Sequence, residues 1–456
     1  MEESIEASRN SCALHGAIQT IQGIEGFIPI IHSTAGCGIQ QYLGGIKSSG
    51  CSGSGYSGGF AIPSSNVAEK QVIFGGTSRL REQIKNTVKV IKGDAYVVVT
   101  GCTTELVGDD IFAMTKESLE QGYPVIAANT PGFKGQVHFG YELILKSILK
   151  QLGSITTLST EKNKGLINIF GIIPQQDIYW RGNLEEIKRI LESLGLKVNT
   201  LFGNDQGIKE WGQIPSAELN LVFSTWGLTS AQYLEETYGT PFISLNNIPV
   251  GFKDTADFVE IVSAKLNLNQ DTVNEYIKKE EKYTNYYIDN ILDIYFDYNF
   301  QKEFAIIGDS STALGISRFL VKSFGLIPKT IIITDNVAED YRQKIEVEFL
   351  SLLPSEEPTV YFIDDLGQIE DILKISNIDL IIGSSLEKRI SKNLNIPLQI
   401  ISFPLTDKVI LNKTYVGFKG SLTLLEDLST EILSFEKNKI IKVENMMQSP
   451  FINAIL

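Results

Sequence analysis

Apolar positions along this chain fall into two alternating patterns. Short unbroken apolar runs at 27–31, 95–100 and 124–128 each end near a Gly, Cys, Thr or Asn turn. Strands buried on both faces of a parallel sheet read this way. Between them, 78–90 sets Leu80, Ile84 and Val88 on one face and its charges on the other, the spacing of an amphipathic helix. The alternation then restarts twice. A second region has strand-like runs at 166–171, 197–202 and 219–224, a helix predicted over 183–194, and a long charged, tyrosine-bearing helix over 271–300. A third has strand-like runs at 304–309, 330–334, 359–363 and 380–384. Repeated strand–turn–helix units predict parallel sheets covered by helices on both faces, with sites built in the loops beyond the strands' carboxyl ends. With the polar stretch 159–164 as a linker, the expectation is an α/β protein of three Rossmann-like, doubly wound domains over 1–157, 158–300 and 301–456.

Bulk composition narrows the class. At 456 residues the chain is too long for a single core. No apolar run has the roughly 20 residues that a membrane helix needs, and the acidic, polar start lacks the features of a signal peptide. A cytoplasmic protein without a membrane partner is expected. The net charge of -14 argues against nucleic-acid binding, which draws on basic patches.

The chemistry is concentrated at one end. All four cysteines lie at or before Cys102, and all three histidines at or before His138. In a reducing compartment clustered cysteines point to metal or redox chemistry rather than disulfides. Cys37, in His32-Ser33-Thr34-Ala35-Gly36-Cys37-Gly38, and Cys102, in Thr100-Gly101-Cys102-Thr103-Thr104-Glu105, each follow a predicted strand. Cys12 precedes the first helix-like segment and could fold back to them. Flanking Gly36 and Gly101 let the backbone approach a bulky inorganic cluster and leave amides free to donate to its sulfides. Taken one at a time, each cysteine reads as a small buried hydrophobe; two at strand ends with a third upstream reverse that. No C-x-x-C pair supports a zinc ribbon or thioredoxin motif. Cys51, in a Gly/Ser loop, reads as a free thiol and a possible extra ligand.

Several segments resemble nitrogenase component 1: His32 through Cys37, Val72-Ile73-Phe74-Gly75-Gly76, and above all Glu105-Leu106-Val107-Gly108-Asp109-Asp110 after a strand-end cysteine. Thr130-Pro131-Gly132-Phe133-Lys134-Gly135 is similar to the family's next motif loop, and Tyr415-Val416-Gly417-Phe418-Lys419-Gly420-Ser421 to its closing motif. The resemblance implies paired homologous subunits, with an alpha-type partner in an alpha2beta2 heterotetramer. It implies that Cys12, Cys37 and Cys102 each ligate an interface iron–sulfur cluster, either P-cluster-type (8Fe-7S) or 4Fe-4S, with Gly36, Gly101 and Gly132 around it. An ATP-dependent homodimeric iron protein would supply the electrons. The family's catalytic subunit holds its iron–molybdenum-type cofactor by a cysteine in the second domain and a histidine in the third. This chain has neither residue type there. The resemblance therefore implies a beta-type relay subunit of a nitrogenase or nitrogenase-like reductase, with an assembly scaffold as the alternative. Where the family's beta-type subunits tend to carry a serine, Gly132 stands.

The remaining candidates read as structural. A histidine at a turn, as His32 is, usually satisfies its ring locally with backbone; His15 and His138 carry no stronger claim. Asp109 and Asp110 read as helix N-caps. The turn Gly308-Asp309-Ser310-Ser311-Thr312 follows a strand and opens a helix but lacks the glycine and lysine pattern of a nucleotide loop.

Overall fold

The computed structural model describes residues 8–48, 50 and 62–447. Three sheets carry the described fold, and every strand pair in them is parallel. The first joins β1 (Phe27–His32), β2 (Ala95–Thr100) and β3 (Val125–Ala128) in sequence order. The second contains β4 (Asn163–Phe170), β5 (Lys197–Asn199), β6 (Ala217–Val222) and β7 (Phe242–Ser244), ordered β5-β4-β6-β7. The third contains β8 (Glu303–Gly308), β9 (Ile327–Ile333), β10 (Thr359–Phe362), β11 (Leu380–Gly383) and β12 (Leu398–Ile400), ordered β10-β9-β8-β11-β12. In the second and third sheets the order reverses beside the first strand, the switch point at which such folds open a crevice.

Burial explains the unbroken apolar runs. Alternate residues of a strand face opposite sides of its sheet. In the first sheet Ile28, Ile30, Tyr96 and Val98 pack with Leu80, Ile84 and Met114 on one side. Phe27, Ile31, Val97 and Val99 pack with Ile18, Ile21, Tyr141 and Ile144 on the other. Both faces are covered, so polar alternation disappears.

Two expected elements are shorter than their apolar pattern. The run at 197–202 stops as a strand at Asn199, whose side chain accepts the Leu201 N–H at 3.1 Å while Leu201 turns to φ +65°. Such a side-chain-to-backbone bond competes with the ladder. The long helix at 271–300 divides into Gln270–Ile288 and Leu292–Asp297 around a 3-10 turn, where Asn290 Nδ2 donates to the Tyr286 carbonyl at 2.7 Å. The final helix, Gly417–Met447, returns to pack on the helices Gly251–Leu266 and Gln270–Ile288. The Tyr415–Ser421 motif forms the buried joint there: Tyr415 Oη meets Tyr179 Oη at 3.0 Å and Asp427 at 2.5 Å, and Phe418 lies between Phe252 and Tyr276.

A close helix crossing sets up the site. The helices Ala13–Gln22 and Val137–Gln151 approach so tightly that a Cβ on Gly16 would sit 1.9 Å from the Val137 carbonyl oxygen. One on Gly140 would sit 2.1 Å from that of Ala13. Only glycine permits that distance.

Candidate functional site

β1 and β2 are in register to their last residues, His32 opposite Thr100, so the loops after them leave from one edge. Cys37 stands in the first turn of the helix Ala35–Ser48, and Cys102 opens the helix Cys102–Val107. The loop after β3 carries Gly132 in a short 3-10 turn. It is tied to β2 by Thr130, whose N–H donates to Thr100 Oγ1 at 2.9 Å and whose hydroxyl donates to the Thr100 carbonyl at 3.0 Å. Cys12 reaches the same edge from the N-terminal side. It precedes the helix Ala13–Gln22, bridges Gln136, and is held by Ala13 N–H donating to Gly135 O at 2.8 Å and Val137 N–H to Ser11 O at 3.0 Å.

The three thiols are free and half-buried. A Cβ added at Gly132 would meet Cys12 Sγ at 2.9 Å and Cys102 Sγ at 3.2 Å, so both sulfurs close on the bare α-carbon. Beside them, a Cβ on Gly101 would lie 3.6 Å from Cys37 Sγ and only 2.0 Å from Ser33 Oγ, which itself lies 3.2 Å from that sulfur. A Cβ on Gly36 would meet nothing within 4 Å. Among the described residues no three His, Cys, Asp or Glu side chains converge tightly enough to hold a single metal ion. The donor chemistry is that of iron–sulfur ligation, laid around glycine α-carbons. Cys51 lies outside the described residues.

Apolar side chains fringe this edge. Phe133 is 58% exposed next to Gly132, Leu106 78% exposed one turn from Cys102, and Phe74 80% exposed on a short helix packed against that turn. Ile39 and Leu43 continue the fringe beyond Cys37. Exposed apolar side chains gathered in a patch are a feature of interaction faces.

The histidines and acids sort differently from the sequence reading. His32 binds side chains rather than backbone: Nδ1 faces Ser65 Oγ at 2.9 Å and Nε2 faces Asp109 Oδ2 at 3.0 Å. Burial holds its pKa below the ordinary histidine value, against the pull of Asp109. Asp110 caps the helix Ile111–Glu120 by accepting the Ala113 N–H at 2.9 Å. Asp109 does not cap that helix; it accepts the Gly76 N–H at 2.7 Å, ahead of the helix Thr77–Val90, because β1 brings His32 beneath it. His15, which the sequence left without a role, lies between two of the cysteines: Nδ1 is 3.7 Å from Cys12 Sγ and Nε2 3.3 Å from the Cys37 carbonyl oxygen. Burial depresses its pKa too. The available signal was its position three residues after Cys12, one turn along the same helix face.

A second polar constellation is buried where the three sheets meet. His138, Gln176, Asp177, Ser224, Trp226 and Asp309 are among the residues lining a cavity of about 20 Å³, room for about one water molecule. Asp335 adjoins it, accepting from Trp226 Nε1 at 2.9 Å and Ser310 Oγ at 2.8 Å. Burial pushes Asp177 up to about 7, with the like charge of Asp309 adding to it, and raises Asp309 and Asp335 as well. His138 is pushed down to about 4 by burial. The turn at Asp309 is a helix cap, its carboxylate accepting the Thr312 N–H at 2.9 Å.

Three parallel α/β sheets with cysteines gathered at one strand edge define a class, and comparison with known families identifies it. The profile of the family described as Nitrogenase component 1 type Oxidoreductase matches residues 12–433, and the chain belongs to that family. Among curated proteins it is 29% identical to the nitrogenase molybdenum-iron protein beta chain of Frankia alni, over 93% of this chain and 81% of that one. It is 26% identical to the beta chain of the same name from Methanococcus maripaludis, over 93% of each. Within the family it therefore stands with the beta-type members. Among solved structures, one titled "Nitrogenase Cp1 at pH 6.5" superposes with a TM-score of 0.79 at 21% identity, over 95% of this chain and 94% of that one. Among the described residues, no helix is long and apolar enough to cross a membrane.

Proposed function

We propose that the chain is the beta-type subunit of a nitrogenase or nitrogenase-like two-component reductase. Cys12, Cys37 and Cys102 hold one half of an iron–sulfur cluster whose other half belongs to a homologous alpha-type subunit. The observation that carries this reading is the approach of Cys12 Sγ and Cys102 Sγ to the bare α-carbon of Gly132, at 2.9 and 3.2 Å from where a Cβ would stand. When bound, such a cluster relays single electrons from an ATP-dependent iron protein toward the partner's active site.

The chain's own residues prepare that site. Gly132 leaves room for the sulfurs of Cys12 and Cys102, Gly101 leaves room for Ser33 beside Cys37, and the Gly16–Gly140 crossing fixes Cys12 against the loop. Cys12 and Cys37 stand at the starts of helices of 10 and 14 residues, whose dipoles favour a negatively charged ligand set. The apolar fringe supports burial against the partner subunit, which would exclude water from the cluster. No cysteine or histidine follows His138, which supports placing the substrate site in the partner.

The test is iron and acid-labile sulfide on protein purified anaerobically with its partner subunit, beside Cys37→Ala and Cys102→Ala. About eight irons per subunit pair, falling sharply in both variants, is the expected result for a P-cluster-type relay. About four would transfer the reading to a four-iron relay or an assembly scaffold, separated by whether the complex turns over with its iron protein. Absence of iron in the wild type would overturn it.

A further inference from the structure

We infer that His15 is a positioning residue for the cluster ligands, tying the start of the Cys12 helix to the backbone of Cys37; this rests on the cluster reading above. His15 is 3% exposed and sits in the first turn of the helix that Cys12 precedes, its own N–H donating to the Cys12 carbonyl at 3.0 Å. Its ring spans the gap between the first cysteine and the second, Nε2 at 3.3 Å from the Cys37 carbonyl oxygen and Nδ1 at 3.7 Å from Cys12 Sγ. A carbonyl oxygen only accepts. Nε2 therefore carries the ring proton and donates it to Cys37, which fixes the orientation of the ring with its Nδ1 edge against Cys12 Sγ. Cys37 enters from the loop after β1 and Cys12 from the N-terminal segment, and among the described residues no main-chain hydrogen bond joins the two. The imidazole supplies that connection. Residues that orient ligands in this manner set metal affinity and tuning without touching the metal.

The experiment compares wild type, His15→Leu and His15→Gln in the co-purified complex. The readouts are the rate of iron loss to a ferrous chelator, the electron paramagnetic resonance spectrum with its reductive titration, and the melting temperature. Leucine keeps the bulk and loses the hydrogen bond to the Cys37 carbonyl; glutamine retains a terminal amide that can reach it. Expected is iron loss faster by about tenfold or more in His15→Leu, with a shifted spectrum and midpoint, and substantial recovery in His15→Gln. If His15→Leu lowers the melting temperature, the decision passes to His15→Gln, whose chelator rate and midpoint must then lie between wild type and leucine. Unchanged chelator rate, spectrum and midpoint in His15→Leu overturn the inference while leaving the cysteine reading intact. Wild-type protein without iron, or with iron that survives Cys37→Ala, overturns the cysteine reading instead.

Discussion

Two polar constellations in this molecule arise at the carboxyl ends of parallel strands, and they have opposite characters. The cysteine edge lies beyond β1, β2 and β3, with half-buried thiols and an exposed apolar fringe that includes Phe133 and Leu106. The chamber beyond β4, β6 and β8 closes on Asp177 and Asp309, both half-buried, and on His138, which is buried. The strand-end geometry is shared, so it does not choose between them. The covering does. The chamber is lined from all three regions, by His138, Asp177 and Asp309 among others, whereas among the described residues the cysteine edge keeps Phe133 and Leu106 exposed. An open edge needs completion from outside, and a sealed one must satisfy its charges within.

The comparison can be broken first where the two regions are tied. Arg9, just ahead of Cys12, forms a buried ion pair with Glu387 at 2.5 Å and also meets Ser402 at 3.2 Å, anchoring the N-terminal segment to the third sheet. Glu387→Ala leaves that guanidinium unpaired and should cost about 3–5 kcal/mol, read as a lower denaturation midpoint. A loss under about 1 kcal/mol would show that the anchor matters little.

Gly132→Val comes next. It should reduce bound iron about tenfold or more while shifting the melting temperature little, because the displaced atoms are thiols at a half-open edge. Retained iron would mean that the loop yields and that the glycine is not required.

The chamber gives a pH signature that the open edge lacks. Asp177 has a folded pKa above its ordinary value, so its contribution to stability is full below about 4 and is lost as pH rises through about 7. His138 has the opposite sign: its contribution is present above 6.5 and lost as pH falls through about 4. The two oppose each other at mildly acid pH. In Asp177→Asn the melting temperature relative to wild type should rise from pH 4 to about pH 7 and level off above it. A constant difference across that range would remove Asp177 from the account.

The smallest effect on folding sharpens the contrast. Phe133→Ser should change stability by no more than about 0.5 kcal/mol, as exposed substitutions do, yet weaken association with the partner subunit in sedimentation or light scattering. A large loss of folding stability, with association unchanged, would make Phe133 part of the core.

Much of the fold was legible because a strand covered on both faces writes an uninterrupted apolar run. The runs in all three sheets were found for that reason. β7 and β12 were not, since three-residue edge strands are too short for periodicity to register. The run at 197–202 looked like one strand because periodicity records burial, and Leu201 and Phe202 are buried whether or not they extend the ladder. At the candidate site, cysteine type and flanking glycines were visible from local chemistry. Their sharing of one edge was predicted for Cys37 and Cys102, which follow strands, and left open for Cys12, which does not.

The sequence by itself determined the alternation of buried strands and helices, the placing of every thiol and imidazole in the first part of the chain, and the motifs that carry the family resemblance. These are properties of one segment and its solvent exposure. The tertiary structure decided which distant segments meet: Cys12 across Gly132 from Cys102, His15 between Cys12 and Cys37, Asp109 under His32 instead of on its own helix, and three aspartates around one chamber. Local periodicity reports how a segment is buried; its partners are set only when chain closure and close packing, here the 1.9 Å limit at Gly16, leave one arrangement that fits.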